Sequence, residues 1–154
     1  MKTLIKNGLV VDPANLVQTH LNLLLEDGKI VAVTEEEPEA DRVIDAAGKV
    51  VAPGFIDIHM HEDPVKDDKI QFCIFDAMLR MGVTTAVGGN CGINVYDPVK
   101  YLDLLERDGA PVNVMMFAGH QYYREAAGAL DKYSPVTEEQ RKMMKKGLEE
   151  ALEA

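Results

Sequence analysis

The hydrophobic pattern of the sequence changes at Lys49, and this change limits the folds that the chain can adopt. Before Lys49, short apolar runs are separated by tight-turn signals such as Asn7-Gly8 and Asp27-Gly28. After it, apolar runs alternate with segments of helical spacing. The first pattern is typical of antiparallel hairpins, and the second of parallel strands connected by helices. We therefore expect an α/β protein in which a small β region precedes βα units.

The first fifty residues predict a β-meander. Runs at 4–5 and 9–11 flank Asn7-Gly8, and runs at 21–26 and 29–33 flank Asp27-Gly28. The Asp-Gly pair readily adopts the positive φ of a two-residue turn, so it predicts a hairpin. A further short strand is expected at 42–45, after an acidic loop that should remain in solvent.

Three strand and helix pairs are predicted after residue 53. The strands are expected at 54–61, 83–87 and 112–118. The first helix is expected at 70–81, and the second runs from an N-cap at Asp97 to Gly109. A loop should follow the third strand, and Thr137-Glu138-Glu139-Gln140 has the pattern of a capping box that opens the third helix.

Composition excludes several classes of partner. The 26 acids and 16 bases among 154 residues leave a net charge of −10, which repels nucleic acids and anionic membrane surfaces. No apolar run approaches the roughly 20 residues of a membrane span, and the N-terminal residues do not resemble a signal peptide. We expect a cytoplasmic protein. In that compartment its two cysteines should be thiols or metal ligands and not a disulfide.

The strongest chemical signal is His59-Met60-His61, at the carboxyl end of the first predicted βα strand. Alternate side chains share one face of a strand, so the two histidines should lie side by side with Asp57. On the other face, Ile56, Ile58 and Met60 should pack under helices. Two imidazoles at this spacing can converge on one cation, although isolated histidine pairs are often only solvated. The end of a parallel strand favours the metal site.

Cys91 is the second signal, because it follows the next strand among Gly88, Gly89 and Gly92. Glycines let the backbone bend towards a neighbouring group, so a Cys91 thiolate could complete a site with the histidines. A small buried hydrophobic residue is the equally acceptable alternative. For Cys73, within an apolar helical segment, we predict a place in the core.

Three further residues are candidate substrate contacts or partners of the metal ligands. His120 ends the third predicted strand, as His61 ends the first. Asp63, like its neighbour Glu62, follows the histidine pair and could orient an imidazole. Arg124 could bind a substrate carboxylate with two hydrogen bonds, or pair with neighbouring acids.

These motifs resemble those of the amidohydrolase superfamily. The segment 50–61, with its histidine pair, is similar to the first strand of that superfamily's (β/α)8 barrel. The segment 82–92 and Gly119-His120 with the nearby Arg124 resemble the N-acyl-D-amino acid deacylase (D-aminoacylase) group more specifically. The similarity extends over essentially the whole chain.

The resemblance implies a fold and a mechanism. It implies a small β-sandwich over residues 1–52 and the first three βα units of an incomplete (β/α)8 TIM-type barrel over 53–154. His59, His61 and Cys91 would bind zinc, which suits thiolate and imidazole ligands. A water activated by zinc would then hydrolyse the amide of an N-acyl-D-amino acid. The family's other ligands and its general base, an aspartate, would lie beyond Ala154.

A complete barrel needs eight strands and about 250 residues, so three units would leave sheet edges unpaired. We therefore expect a fragment that is inactive alone, with the rest of the barrel supplied by a missing C-terminal part or by a second chain. Two alternatives stay open. One is a cyclic-amide hydrolase resembling dihydroorotase or dihydropyrimidinase, and the other is a non-catalytic binding module derived from the barrel.

Overall fold

The computed structural model describes all residues from Met1 to Ala154. The chain divides into two compact units, Met1–Pro53 and Gly54–Ala154, and each unit is described by itself. Both contain β-structure, and the helices belong to the second, so the fold is mixed α/β as predicted. No helix has both the length and the apolar character that crossing a membrane requires.

The first unit is a single sheet of five strands. Its strands are β1 (Lys2–Asp12), β2 (Val17–Glu26), β3 (Lys29–Thr34), β4 (Arg42–Asp45) and β5 (Val50–Val51). The order is β3-β2-β1-β4, and β5 also pairs with β1. The pairs β1/β2 and β2/β3 are antiparallel, whereas β4 and β5 both run parallel to β1. The predicted second layer of a sandwich is not confirmed.

The two predicted turns in this unit have different outcomes. The hairpin at Asp27-Gly28 is confirmed, because both residues have positive φ, 49° and 77°, and connect β2 to β3. The prediction that Asn7-Gly8 separates two strands is wrong. Asn7 has a φ of 64° and forms a bulge within β1, where the pairing with β2 shifts between Ile5 and Gly8. Positive φ therefore bends one strand here without reversing the chain.

The second unit contains a parallel sheet of three strands. Its elements are β6 (Phe55–Asp57), β7 (Val65–Lys66), β8 (Lys69–Ile70), α1 (Ile74–Arg80), β9 (Val83–Gly88), α2 (Pro98–Asp108), β10 (Asn113–Met116), α3 (His120–Ala126) and α4 (Glu138–Glu153). The order β10-β9-β6 leaves β9 in the centre, and both of its pairings are parallel. β7 and β8 form a separate small hairpin.

The core of this unit lies between the sheet and the first two helices. Phe75 of α1, Ala86 of β9 and Tyr101 of α2 are almost completely inaccessible to solvent. The predicted N-caps are confirmed: Asp97 accepts hydrogen bonds from the start of α2, and Thr137 and Gln140 form the capping box of α4. No residue of α4 is buried.

The strand predicted at 54–61 is shorter in the structure. β6 ends at Asp57, so the histidine pair lies just beyond the strand. Met60 is buried, as expected, but Ile56 and Ile58 are 63% and 71% exposed. The prediction that all three pack under helices is therefore wrong. Regular alternation requires continuous pairing, whereas the pairing of β6 with β9 shifts between Phe55 and Ile56 and stops before Ile58.

Two other element boundaries differ from the prediction. The helix expected at 70–81 begins only at Ile74, because residues 65–70 form the hairpin β7/β8. The segment expected as a loop after Gly119 contains helix α3, which has no side-chain cap at its start. Without a cap or a long apolar stripe, a helix of this length gives little signal in the sequence.

The buried carboxylate of Asp63 organises the start of α1. Its oxygens accept hydrogen bonds from the backbone N–H groups of Ile74 (2.8 Å), Phe75 (3.0 Å) and Cys73 (3.3 Å). These N–H groups have no partner within the helix, and the helix dipole favours a negative charge there. Asp63 therefore acts as the cap of α1, although it lies ten residues before the first of these donors in the sequence.

Cys73 is exposed at the N-terminus of α1, so its predicted place in the core is wrong. Its thiol donates a hydrogen bond to Asp63 Oδ1 at 2.8 Å. This hydrogen bond, together with partial desolvation and the negative charge of Asp63, raises the pKa of the Cys73 thiol above its usual value. The thiol is thereby kept protonated as a donor.

Replacement of Asp63 should destabilise the chain. Asp63→Ala leaves the buried N–H of Phe75 and the partly buried N–H groups of Cys73 and Ile74 without an acceptor, so we expect the free energy of unfolding to fall by about 2–3 kcal/mol. Urea denaturation measures this change. Asp76→Ala, which removes an exposed carboxylate from the same helix, is the matched control. An Asp63→Ala variant as stable as the unaltered chain would contradict the capping role.

Alkylation of Cys73 should be slow at mildly alkaline pH. Only the thiolate reacts, and a raised pKa reduces the thiolate fraction near pH 8. In a Cys91→Ser background, iodoacetamide should label Cys73 more slowly in the folded chain than in urea. The hydrogen bond from the Cys73 thiol to Asp63 should stabilise the folded chain fully below the ordinary thiol pKa of about 8.5, and this stabilisation is lost as the pH rises through the raised pKa of the folded state. Equal or faster labelling of the folded chain would refute the interaction.

Candidate metal centre

The candidate metal centre lies where two neighbouring parallel strands end. β6 and β9 pair in parallel, with Asp57 opposite Ala86, so their carboxyl ends meet at the same edge of the sheet. His59 and His61 follow β6, and Cys91 follows β9 after a short 3₁₀ turn begins at Asn90. Side chains from two sequence-distant segments are thus brought together by sheet pairing.

The three predicted metal ligands form one cluster. A ligand atom of His59, one of His61 and the sulfur of Cys91 all lie within 4.8 Å of one another. Cys91 Sγ is 3.5 Å from His59 Nε2. The two imidazole rings meet edge to face with their centres 5.8 Å apart. All three side chains are exposed, so the alternative that Cys91 is a buried hydrophobic residue is wrong.

This donor set fits a zinc ion by its chemistry and its spacing. Zinc bonds of about 2.0–2.1 Å to nitrogen and 2.3 Å to sulfur place two ligands of one tetrahedral ion about 3.4–3.8 Å apart. The distance between Cys91 Sγ and His59 Nε2 lies in that range. Three ligands with solvent access leave a coordination position open for water or substrate, as in catalytic zinc sites.

Two residues with positive φ shape the loop that presents Cys91. Cys91 itself has a φ of 61°, and Gly89 has a φ of 74°. A Cβ atom on Gly89 would lie 2.2 Å from the carbonyl oxygen of Phe117, which is closer than atoms can approach. Gly89 therefore allows the loop to pass against the end of β10, and a larger residue there would displace Cys91.

A buried polar chain connects the residue after the histidine pair to the end of the third strand. Asn94 Nδ2 donates to Glu62 Oε1 at 3.0 Å, and Asn94 Oδ1 accepts from the N–H of Gly119 at 2.6 Å. Glu62 and Asn94 are both buried, and Glu62 Oε2 has no partner. Glu62 thus contacts Asn94 and not an imidazole. No local sequence pattern indicates Asn94, because its role depends on contacts between distant segments.

His120 and Arg124 lie beside Cys91. Together with Lys132 and Gln121 they line a cavity of about 230 Å³ that contains no acidic residue. Arg124 Nη2 donates to the backbone carbonyls of Asp131 and Ser134, each at 2.5 Å, so part of its guanidinium holds the loop after α3. Arg124 hydrogen-bonds these backbone carbonyls and does not pair with the neighbouring acids, while its contact with a substrate carboxylate stays a prediction.

Asp63 is the one predicted site residue that the structure separates from this cluster. It is completely buried and its carboxylate is directed to the start of α1. A buried side chain with several backbone donors is not available to a substrate. The residues that the structure does bring together are therefore His59, His61 and Cys91, with His120 and Arg124 next to them.

Comparison with known proteins identifies relatives over most of the chain. The Amidohydrolase family matches residues 42–153. The N-acyl-D-glutamate deacylase of Alcaligenes xylosoxydans xylosoxydans is 30% identical over 97% of this chain and 35% of its own length. The dihydroorotase of Elusimicrobium minutum is 43% identical over 55% of this chain and 20% of its own length.

A solved structure has the same fold. The N-acyl-D-glutamate deacylase of Bordetella bronchiseptica, complexed with zinc and a phosphonate inhibitor that mimics the tetrahedral intermediate, superposes with a TM-score of 0.82 at 29% identity. The superposition covers 99% of this chain and 36% of that one. The chain thus spans about a third or less of the length of these relatives. It belongs to the amidohydrolase family, whose members are hydrolases, and resembles the N-acyl-D-amino acid deacylase group over nearly its whole length.

Proposed function

We propose that this chain carries part of the active site of a zinc-dependent hydrolase that removes the acyl group from N-acyl-D-amino acids. The observation that carries this proposal is the convergence of His59, His61 and Cys91 within 4.8 Å at the end of two parallel strands. Bound zinc would activate a water molecule and polarise the amide carbonyl. The names of the relatives with nearly full coverage of the chain supply the substrate class.

The chain's own residues have separate tasks in this proposal. His59, His61 and Cys91 hold the metal, and their exposure leaves room for the amide to approach. His120 and Arg124 line the neighbouring cavity, where a basic lining would attract a carboxylate of the substrate. Lys132 adds a further positive charge, which is notable in a chain with a net charge of −10. No carboxylate belongs to the cluster, so the general base would come from the rest of the barrel.

Further strands are needed to cover the sheet of β6, β9 and β10. The outer strands β6 and β10 each lack a partner on one side. Large apolar side chains of this sheet and its continuations are exposed, including Ile56 (63%), Met115 (54%) and Phe117 (57%). We propose that residues 53–154 are the first three βα units of a barrel, that residues 1–52 form a separate small β domain, and that a longer polypeptide or a second chain supplies the remaining strands.

The main alternative is a cyclic-amide hydrolase related to dihydroorotase. Its support is the 43% identity to the Elusimicrobium minutum dihydroorotase, although that match covers only 55% of this chain. A site of that type would use a lysine from a later strand and leave Cys91 without metal. Metal binding by Cys91 therefore distinguishes the deacylase from the cyclic-amide hydrolase. A chain that binds no metal would instead favour the third alternative, a non-catalytic binding module.

Metal binding by the chain should depend on the three clustered residues. The purified chain, after dialysis against zinc, is expected to retain about one zinc ion, measured by inductively coupled plasma mass spectrometry. His59→Ala or Cys91→Ser should lower the zinc affinity at least tenfold, because each removes one of three ligands. His20→Ala and Cys73→Ser are matched controls outside the cluster. Cys91→Ser with unaltered zinc affinity would exclude the thiolate from the site.

The zinc-loaded chain by itself should not turn over substrate. We expect no release of acetate from N-acetyl-D-glutamate, because the general base and the remaining ligands are proposed to lie elsewhere in the barrel. A coupled assay for acetate measures this, with the same chain treated with a chelator as the blank. Turnover that stops on chelation would show that the three βα units suffice, and the proposed division of the active site would be wrong.

A further inference from the structure

Asn90 connects the two segments that supply the clustered donors. Its side-chain Nδ2 donates to the carbonyl oxygen of Ile58 at 2.8 Å, and its Oδ1 accepts from the N–H of Met60 at 3.2 Å. These two backbone groups lie immediately before and after His59. One primary amide therefore holds the peptide groups on both sides of a candidate metal ligand.

The bridge formed by the Asn90 amide, from Ile58 to Met60, extends the hydrogen bonding of the sheet past the last paired residue of β6. The pairing of β6 with β9 ends at Asp57, and beyond it one backbone hydrogen bond remains, from the N–H of Met60 to the carbonyl of Val87 at 3.1 Å. A primary amide offers one acceptor and two donors, so it can replace a backbone peptide group in a ladder. Asn90 thus adds a strand-like restraint on residues 58–60 beyond the last paired residue of β6.

Because Asn90 lies next to Cys91 in the chain, its amide connects the two segments that carry His59 and Cys91. Asn90 directly precedes Cys91, whose sulfur lies 3.5 Å from His59 Nε2. The N–H of His59 is held by Asp57 Oδ1 at 2.9 Å, but Asp57 belongs to the same segment as His59 and cannot fix it relative to Cys91. Only the Asn90 amide joins the backbone around His59 to the residue next to Cys91.

We propose that Asn90 is a positioning residue that sets the separation of the His59 and Cys91 donors before any metal binds. This inference rests on the proposed metal site. The amide touches neither a metal nor a substrate, and it acts through the backbone of the two segments. Loss of the amide should let the 58–61 segment move relative to the Cys91 turn, which lowers the affinity of the donor set for a divalent ion.

Cobalt binding to the whole chain tests this role without an activity assay. A thiolate ligand gives Co²⁺ a charge-transfer absorption, so titration of the metal-free chain with Co²⁺ reports both affinity and the participation of Cys91. Asn90→Ala should weaken Co²⁺ binding about 10–100-fold, the usual effect of removing a residue that orients a metal ligand. Asn90→Ser, whose short hydroxyl cannot span both backbone groups, should weaken binding similarly and gives a second variant if Asn90→Ala does not fold.

Asn113→Ala is the matched control. The Asn113 amide also donates to a backbone carbonyl of the same sheet, that of Thr84 at 3.0 Å, but it lies away from the cluster. Its removal should leave the Co²⁺ affinity and spectrum unchanged. Equal losses in Asn90→Ala and Asn113→Ala would show a general effect on the sheet and overturn the positioning role.

Amide hydrogen exchange in the metal-free chain separates this inference from the proposed function. Exchange at the Met60 N–H should accelerate in Asn90→Ala because one of its two acceptors is lost, and only about tenfold because the Val87 carbonyl still accepts from it. In Asn113→Ala the exchange should stay unchanged. Unchanged exchange, or unchanged Co²⁺ affinity in Asn90→Ala, would overturn the inference and leave the metal site standing. Absence of a charge-transfer band in the unaltered chain would instead refute the metal site, and with it any role for Asn90 there.

Discussion

The parallel pairing of β6 with β9 is the interaction on which the candidate site depends. It places the ends of two strands side by side, although the segments that follow them are about thirty residues apart in the chain. Without that register, His59 and Cys91 would not lie within 3.5 Å of each other. The same parallel arrangement brings the end of β10, with Gly119 and His120, to the same edge of the sheet. The positions of the candidate ligands therefore depend first on the order and register of the parallel strands.

Buried polar groups stabilise the segment after the histidine pair. Glu62 is bound to Asn94, and Asp63 caps α1, so two adjacent acids anchor this segment to two different parts of the unit. A buried carboxylate is costly unless it accepts hydrogen bonds; Asp63 accepts several, whereas Glu62 accepts one at Oε1 and has no partner at Oε2. The three clustered side chains themselves are exposed. Rigidity behind the ligands and access in front of them are both useful to a metal site.

Local sequence patterns predict the clustering of the candidate ligands better than the bounds of the elements around them. The histidine pair, Cys91 and the capping residues Asp97 and Thr137 could be read from local patterns, because strand ends and helix starts have residue preferences of their own. The bulge at Asn7 could not, since an Asn-Gly pair adopts positive φ in a turn and in a bulge alike. The sequence favours a site role for Asp63, because nothing local indicates that it caps a helix about ten residues away. The roles of Asn7 and Asp63 both depend on contacts between distant segments, which local sequence patterns do not show.

X-ray absorption spectroscopy of the zinc-loaded chain counts the sulfur and nitrogen atoms bound to the metal, so it tests whether Cys91 and the histidines are its ligands. We expect one sulfur at about 2.3 Å and at least two imidazole nitrogens at about 2.0–2.1 Å, with the sulfur signal lost in Cys91→Ser. A zinc ion bound only by oxygen and nitrogen in the unaltered chain, or a sulfur signal that persists without Cys91, would contradict this ligand set.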